Sequence, residues 1–150
     1  MKLKKVRITN YRCFRKVDID FDDHTTLIVG KNGAGKTAIL DAVAVAVSTF
    51  LLGIDGGVSR SISKDDARYE FHDLDGTVDP QHQFPVSIES TGDCLDNHDV
   101  KWVRSLNSES GNTTVKEAKE LTNISKDVQK RIMTGDKSLI LPLISYYGTG

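Results

Sequence analysis

Gly30-Lys31-Asn32-Gly33-Ala34-Gly35-Lys36-Thr37 decides how the rest of this chain is read. The stretch satisfies G-x-x-x-x-G-K-[ST], and its surroundings give that pattern a mechanism. A short apolar, β-branched run, Thr25-Thr26-Leu27-Ile28-Val29, precedes it, and residues 38–52, almost wholly apolar, follow it. The order predicts a strand, a glycine loop and a buried helix.

The residue types match the needs of a polyphosphate. Glycines that tolerate positive φ let a loop turn successive backbone N–H groups inward as an anion nest, and Gly33 and Gly35 are the positions expected to do so. A helix opening near Lys36 adds unsatisfied N–H groups and the positive end of its dipole. The Lys36 ammonium can reach the β- and γ-phosphates, and the Thr37 hydroxyl can ligate a magnesium ion bridging them. ATP and Mg2+ are therefore the expected ligands. The expected binding set is Gly30, Lys31, Asn32, Gly33, Ala34, Gly35, Lys36, Thr37 and Ala38, with Thr37 on the metal.

Length and composition bound the rest. With 150 residues, 38% hydrophobic and 27% charged, the chain can bury one sizeable core, and a net charge of −1 gives no global argument for nucleic acid. The charge is uneven, because Lys2, Lys4, Lys5, Arg7, Arg12, Arg15 and Lys16 come before any acid and Asp18, Asp20, Asp22 and Asp23 follow at once. Cys13 and Cys94 have neither zinc spacing nor the number for a disulfide scaffold, which fits a reducing cytoplasm. The four histidines are scattered through polar surroundings and read as solvated rather than metal-binding. No secretory leader is apparent. The 38–52 run falls short of the roughly 20 residues a bilayer requires, so a core helix is expected and no membrane.

In chain order, residues 3–9 alternate as a half-buried strand with a basic outer face, Asn10-Tyr11-Arg12-Cys13-Phe14 turns, and residues 17–21 alternate again. Gly53 is expected as the C′ residue of the helix. Residues 55–80 read as a long loop with one helical turn near 64–69. Residues 84–90 and 100–106 read as a second hairpin. Thr114-Val115-Lys116-Glu117 has capping-box form ahead of a helix with apolar spacing to Ile132, open to a kink at Thr122-Asn123 and stopped by Gly135. Residues 138–147 read as a buried parallel strand beside the phosphate-loop strand, with Pro142 awkward inside it. The fold class expected is α/β, a mixed sheet with antiparallel β hairpins.

Taken together, Ile8-Thr9-Asn10-Tyr11-Arg12-Cys13-Phe14, the strand at 18–21 and the run from Leu27-Ile28-Val29 through Ala38-Ile39-Leu40-Asp41-Ala42 resemble the N-terminal half of ABC-type ATPases of the RecF and SMC kind. That family shows an aromatic-Arg-x-aromatic turn, a strand, then G-x-N-G-x-G-K-[ST]. The closing Leu141-Pro142-Leu143-Ile144-Ser145-Tyr146-Tyr147-Gly148-Thr149-Gly150 is similar to AAA-type ATPases of the same clan, including the PtuA ATPase of the Septu anti-phage system and certain retrons. The resemblance implies a P-loop NTPase fold, the N-terminal lobe of a two-lobed ATPase head that homodimerises around sandwiched ATP and controls DNA or an effector such as a nuclease. It also implies that residues 1–150 are the N-terminal part of one such domain. No signature helix, no Asp-Glu strand that would supply the Walker B acid and general base, and no switch histidine occurs here, so these are expected beyond 150. The chain as it stands is then expected to bind nucleotide but hydrolyse it poorly, with no catalytic residue of its own.

Other residues stay open at this level. Arg12 is either the family's nucleotide-proximal arginine or a solvated turn residue. Asn32 either supports the loop or is simply comfortable in the left-handed region. Asp41 either steadies the helix start or reaches Thr37 or a magnesium-bound water. The basic N-terminal strand is either a nucleic-acid contact or an edge with protective lysines, and Asp65-Asp66-x-Arg68 is either a partner contact or a surface cluster. Two other classes share the loop. A nucleoside or small-molecule kinase needs a catalytic acid and an arginine-rich lid that residues 53–80 do not clearly supply. A GTPase needs Asn-Lys-x-Asp, and Asn123-Ile124-Ser125-Lys126-Asp127 has the wrong spacing. A nucleotide-sensing regulatory module remains a further alternative.

Overall fold

The computed structural model describes residues 1–74 and 77–148; Asp75-Gly76, in the expected long loop, and the closing Thr149-Gly150 lie outside the described residues. Its centre is a four-stranded antiparallel sheet in the order β2-β1-β5-β6, built from β1 (Lys2–Tyr11), β2 (Phe14–Asp20), β5 (Val86–Cys94) and β6 (Asn97–Leu106). Both expected hairpins are present, the second with longer strands than the 84–90 and 100–106 expected, because they run on through Gly92 to a tight turn at 95–96. A smaller two-stranded sheet pairs β3 (Tyr69–Leu74) with β4 (Thr77–His82). The loop expected over 55–80 therefore holds a hairpin, with a single 3-10 turn at Lys64–Asp66 before it. That hairpin escapes a hydrophobic-period reading because its run Tyr-Glu-Phe-His-Asp-Leu alternates with Phe71 turned outward and 71% exposed.

Helix α1 (Lys36–Ser48) lies on one face of the large sheet and continues as a 3-10 segment, Thr49–Gly53. Ala42, Val45 and Ala46 from α1 meet Val6, Ile8, Val86 and Ile88 from the sheet in the main core. By length and composition the stretch Lys36–Gly53 could cross a membrane, yet 56% of it is buried within the fold. The indole of Trp102 donates to the Ala46 carbonyl at 3.0 Å, pinning β6 to the helix. Helix α2 (Lys119–Met133) packs against the 3-10 segment and β6, forming a second core of Phe50, Val100, Trp102, Leu121 and Val128.

The basic face of β1 is met by acids across the sheet. Lys5 lies opposite Asp20 and Arg7 opposite Asp18, with Arg7 Nε donating to Asp18 Oδ1 at 2.7 Å. Lys4 joins Asp93 and Asp99 at 2.7 and 2.8 Å, and Lys2 joins Asp23. The uneven charge of the sequence is thus a ladder of exposed cross-strand pairs, each worth little individually.

Several local expectations are corrected. Residues 25–29 and 138–147 form no strand: neither pairs with the sheet, and Leu27, Val29 and Leu143 are 81%, 78% and 95% exposed. A continuous apolar strand is stable only with neighbours on both sides, and the described sheet offers these two runs none. The strands described are consequently all antiparallel, and the parallel part of the expected mixed sheet is not formed. The Thr114–Glu117 box does not close, because Thr114 Oγ1 instead accepts from the Ser105 amide at 3.1 Å and a 3-10 turn at Lys116–Ala118 opens the helix with no side-chain cap. Thr122-Asn123 causes no break in α2, since Thr122 Oγ1 and Ser125 Oγ donate back to Lys119 and Thr122 carbonyls within it. Gly135, at φ 74°, ends α2 as expected, with the amides of Asp136 and Gly135 donating to Arg131 and Ile132 in a Schellman motif.

Gly53 is not a left-handed C′ residue. It is a point of close approach, where a Cβ would lie 2.0 Å from Ser125 Oγ and 2.7 Å from the Thr122 carbonyl. Gly53→Ala is therefore expected to lower unfolding free energy by about 1–3 kcal/mol through overpacking. Urea denaturation measures it, and an unchanged midpoint would show that α2 does not seat on this glycine.

Candidate functional site

The loop before α1 turns on two glycines in the left-handed region, Gly33 at φ 81° and Gly35 at φ 88°. Gly35 is the N-cap of α1. The first amide to bond within the helix is that of Ile39, to the Gly35 carbonyl at 3.0 Å, so the amides of Lys36, Thr37 and Ala38 have no acceptor inside it. The first turn carries no acidic residue, and the N-cap has no side chain to occupy those donors. The positive end of the helix is left uncompensated.

A cavity of about 470 Å³ opens at this end. Its walls are Asn32, Gly33 and Gly35 from the loop, the first helical residues Lys36, Thr37 and Ala38, and Arg12 and Cys13 from the β1–β2 turn. Gly30, Lys31 and Ala34 do not line it. They form the loop's outer limb, closed by a bond from the Ala34 amide to the Lys31 carbonyl at 3.2 Å. Lys36 Nζ reaches back across the loop to the Gly30 and Lys31 carbonyls at 2.7 and 2.8 Å. Asn32 is exposed and is not among the residues of positive φ, so its left-handed reading does not hold.

The β1–β2 turn packs directly on the loop. A Cβ added at Gly35 would lie 2.5 Å from Phe14 Cζ and 2.6 Å from Cys13 Sγ. The same turn holds Arg12 at φ 49°, a strained angle that charge pairing repays. Arg12 Nε donates to Asp66 Oδ1 at 2.8 Å and Nη1 to Asp41 Oδ2 at 2.5 Å, and the guanidinium lies 5.3 Å from the Tyr11 ring centroid. Partial burial opposes the Arg12 charge, but the two carboxylates outweigh it and raise its pKa further. Arg12 thus stands at the cavity wall, paired on its far side.

Asp41 answers neither sequence reading in full: its partner is not Thr37. Its buried carboxylate takes Arg12 on one oxygen, and Tyr146 Oη at 2.5 Å with Arg60 Nη2 at 3.0 Å on the other. Burial works against its ionisation, and the Tyr146 and Arg12 hydrogen bonds overcome that to hold the carboxyl below the usual aspartate range. Asp66, read only as part of a charged loop cluster, is the N3 partner in a capping box with Ser63 at the 3-10 turn, accepting from the Ser63 amide and hydroxyl. Ser63-Lys64-Asp65-Asp66 carried that signal as an S-x-x-D box. Nothing local in the sequence marked Arg60 or Tyr146.

This donor set fits a polyphosphate and its metal: acid-free helix amides, two left-handed glycines, one ammonium, one guanidinium and the Thr37 hydroxyl at a single cavity. The two glycines should respond differently to a methyl group. Gly33→Ala, in open space, is expected to cost about 1–2 kcal/mol from its left-handed backbone alone, and Gly35→Ala to cost about 1–3 kcal/mol more by striking Phe14. Unfolding midpoints of the two variants test this, and equal losses would contradict the packing of the turn on the loop.

Comparison with known proteins places this geometry. The chain matches the AAA domain family over residues 5–150. It is 42% identical over 65 residues to the DNA double-strand break repair Rad50 ATPase of Methanosarcina acetivorans, a stretch covering 43% of this chain and 5% of that protein. It is 33% identical over 100 residues to the DNA replication and repair protein RecF of Actinobacillus pleuropneumoniae, covering 63% of this chain and 26% of that protein. The chain therefore spans a minor part of the length of either relative. A solved structure from work on the ATP-driven dimerization and DNA-stimulated activation of SMC ATPases shares the fold, with a TM-score of 0.51 at 20% identity over 89% of this chain and 80% of that one. With its glycine loop, its aromatic-Arg-x-aromatic turn, its likeness to the Rad50 and RecF sequences and a match over nearly its whole length, this chain belongs to the AAA domain family.

Proposed function

We propose that this chain is the ATP-binding part of a RecF/SMC-type ATPase, residues 1–150 forming the N-terminal section of one domain whose signature helix and Walker B acid lie further along the full-length protein. The observation that carries this reading is the acid-free N-terminus of α1 behind two left-handed glycines. ATP would be held by the amides at Gly33, Gly35, Lys36, Thr37 and Ala38, with the Lys36 ammonium on its terminal phosphates and Arg12 at the wall. Thr37 would ligate Mg2+, which neutralises charge building on the β- and γ-phosphates.

Hydrolysis needs a positioned water and a general base in addition to this cradle. On this reading those groups lie outside residues 1–150, so the chain alone binds nucleotide and turns it over slowly. In the full-length protein, ATP sandwiched between two copies would drive homodimerisation. The DNA-repair roles of the Rad50 and RecF relatives support DNA repair as the setting, with control of DNA processing or of an associated effector nuclease. The closing segment's likeness to anti-phage ATPases supports defence as the alternative setting. Similarity to DNA-repair proteins supports a cytoplasmic protein.

Thermal unfolding with nucleotides tests the reading. Mg-ATP at 100 times its dissociation constant is expected to stabilise the chain by about 2.7 kcal/mol, and Lys36→Ala to remove most of that shift. A preference for GTP, or an undiminished shift in the variant, would overturn it.

A further inference from the structure

Asp41 divides its carboxylate between two parts of the molecule. One oxygen serves Arg12 on the wall of the phosphate cavity; the other serves Arg60 and Tyr146. These last two are held very differently. The Arg60 backbone is fixed, its amide donating to Ser48 Oγ at 2.9 Å, and the neighbouring Ser59 hydroxyl accepts from the buried Arg104 at 2.8 Å. Tyr146 belongs to the run 138–148, which pairs with no strand. Leu139 and Ile144 of that run rest on the second core, but Ile140, Leu143 and Tyr147 are 84%, 95% and 91% exposed. Beyond Ile144 the run is held through Tyr146, by its hydroxyl on Asp41 and by Arg60 stacked 5.2 Å from its ring centroid.

We propose that Asp41 links occupancy of the phosphate cavity to the docking of the 138–148 segment through Tyr146. The inference rests on the polyphosphate reading of that cavity. An anion drawing on the Arg12 guanidinium takes away part of the positive charge that compensates Asp41. Asp41 then relies more on Arg60 and Tyr146, and because the Arg60 backbone is anchored at Ser48 while the Tyr146 run pairs with no strand, the change in docking falls on the Tyr146 segment. A hydrogen bond to a fully charged carboxylate is among the stronger ones, so the tyrosine is gripped more tightly when phosphate is bound. Linkage makes the effect reciprocal: whatever loosens Tyr146 must weaken phosphate binding by the same factor.

Hydrogen exchange of the full chain with and without saturating Mg-ATP tests the link, alongside ATP affinity measured by calorimetry. ATP is expected to slow exchange of the amides at 145–147 about fivefold, and Tyr146→Phe, which keeps the ring over Arg60, to abolish that slowing and weaken ATP by a similar factor. Asp41→Asn is expected to abolish the slowing as well. If ATP binds in a Lys36-dependent manner but leaves exchange at 145–147 unchanged or faster, or if Tyr146→Phe binds ATP as tightly as the parent, the link is wrong. Failure of the parent chain to show any Lys36-dependent ATP binding would overturn the cavity's reading and the link with it.

Discussion

The seating of the β1–β2 turn against Gly35 is the constraint on which the rest depends. Phe14 and Cys13 lie where a Cβ would be, so position 35 admits no side chain, and its left-handed backbone starts α1 at a fixed place. From that start follows the direction of three helix amides with no acceptor. From the same turn follows the placement of Arg12. One contact therefore sets both the donors of the helix and the cation opposite them.

Electrostatics follows from packing. The cavity is positive because the first turn of α1 carries no acid, and because Asp41 and Asp66, the carboxylates nearest Arg12, are already committed to it and to neighbouring groups. Neither acid lines the cavity. Removing the Asp41 carboxylate would relieve a buried charge but leave Arg12 on Asp66 alone and take the carboxylate from Arg60, which is why such a group is tolerated when hydrogen-bonded on both oxygens.

Much of this was legible in the sequence, for identifiable reasons. The first hairpin of the main sheet announces itself by alternation and the second by two apolar runs about a polar segment, and Gly33, Gly35 and Gly135 by turn chemistry that a left-handed residue meets. The shape of the glycine loop was readable because G-x-x-x-x-G-K-[ST] encodes a local geometry, though Gly30, Lys31 and Ala34 build the loop without facing the cavity. What sequence could not supply was long-range. Arg60 and Tyr146 reach Asp41 from far along the chain, and no local pattern ties them to it. The runs at 25–29 and 138–147 have strand composition, but composition reports an affinity for neighbours and not their presence, and both stay unpaired here. The hairpin β3–β4 was hidden because its sequence is mostly polar and charged and its apolar Phe71 faces outward.

Backbone amide chemical shifts of Gly33, Gly35, Lys36 and Thr37 during titration with Mg-ATP and, separately, with adenosine test the central claim most directly. The account predicts large shifts at these amides with ATP and none with adenosine, because main-chain donors grip the phosphates. Shifts of equal size with adenosine, or shifts confined to residues away from the loop, would contradict it.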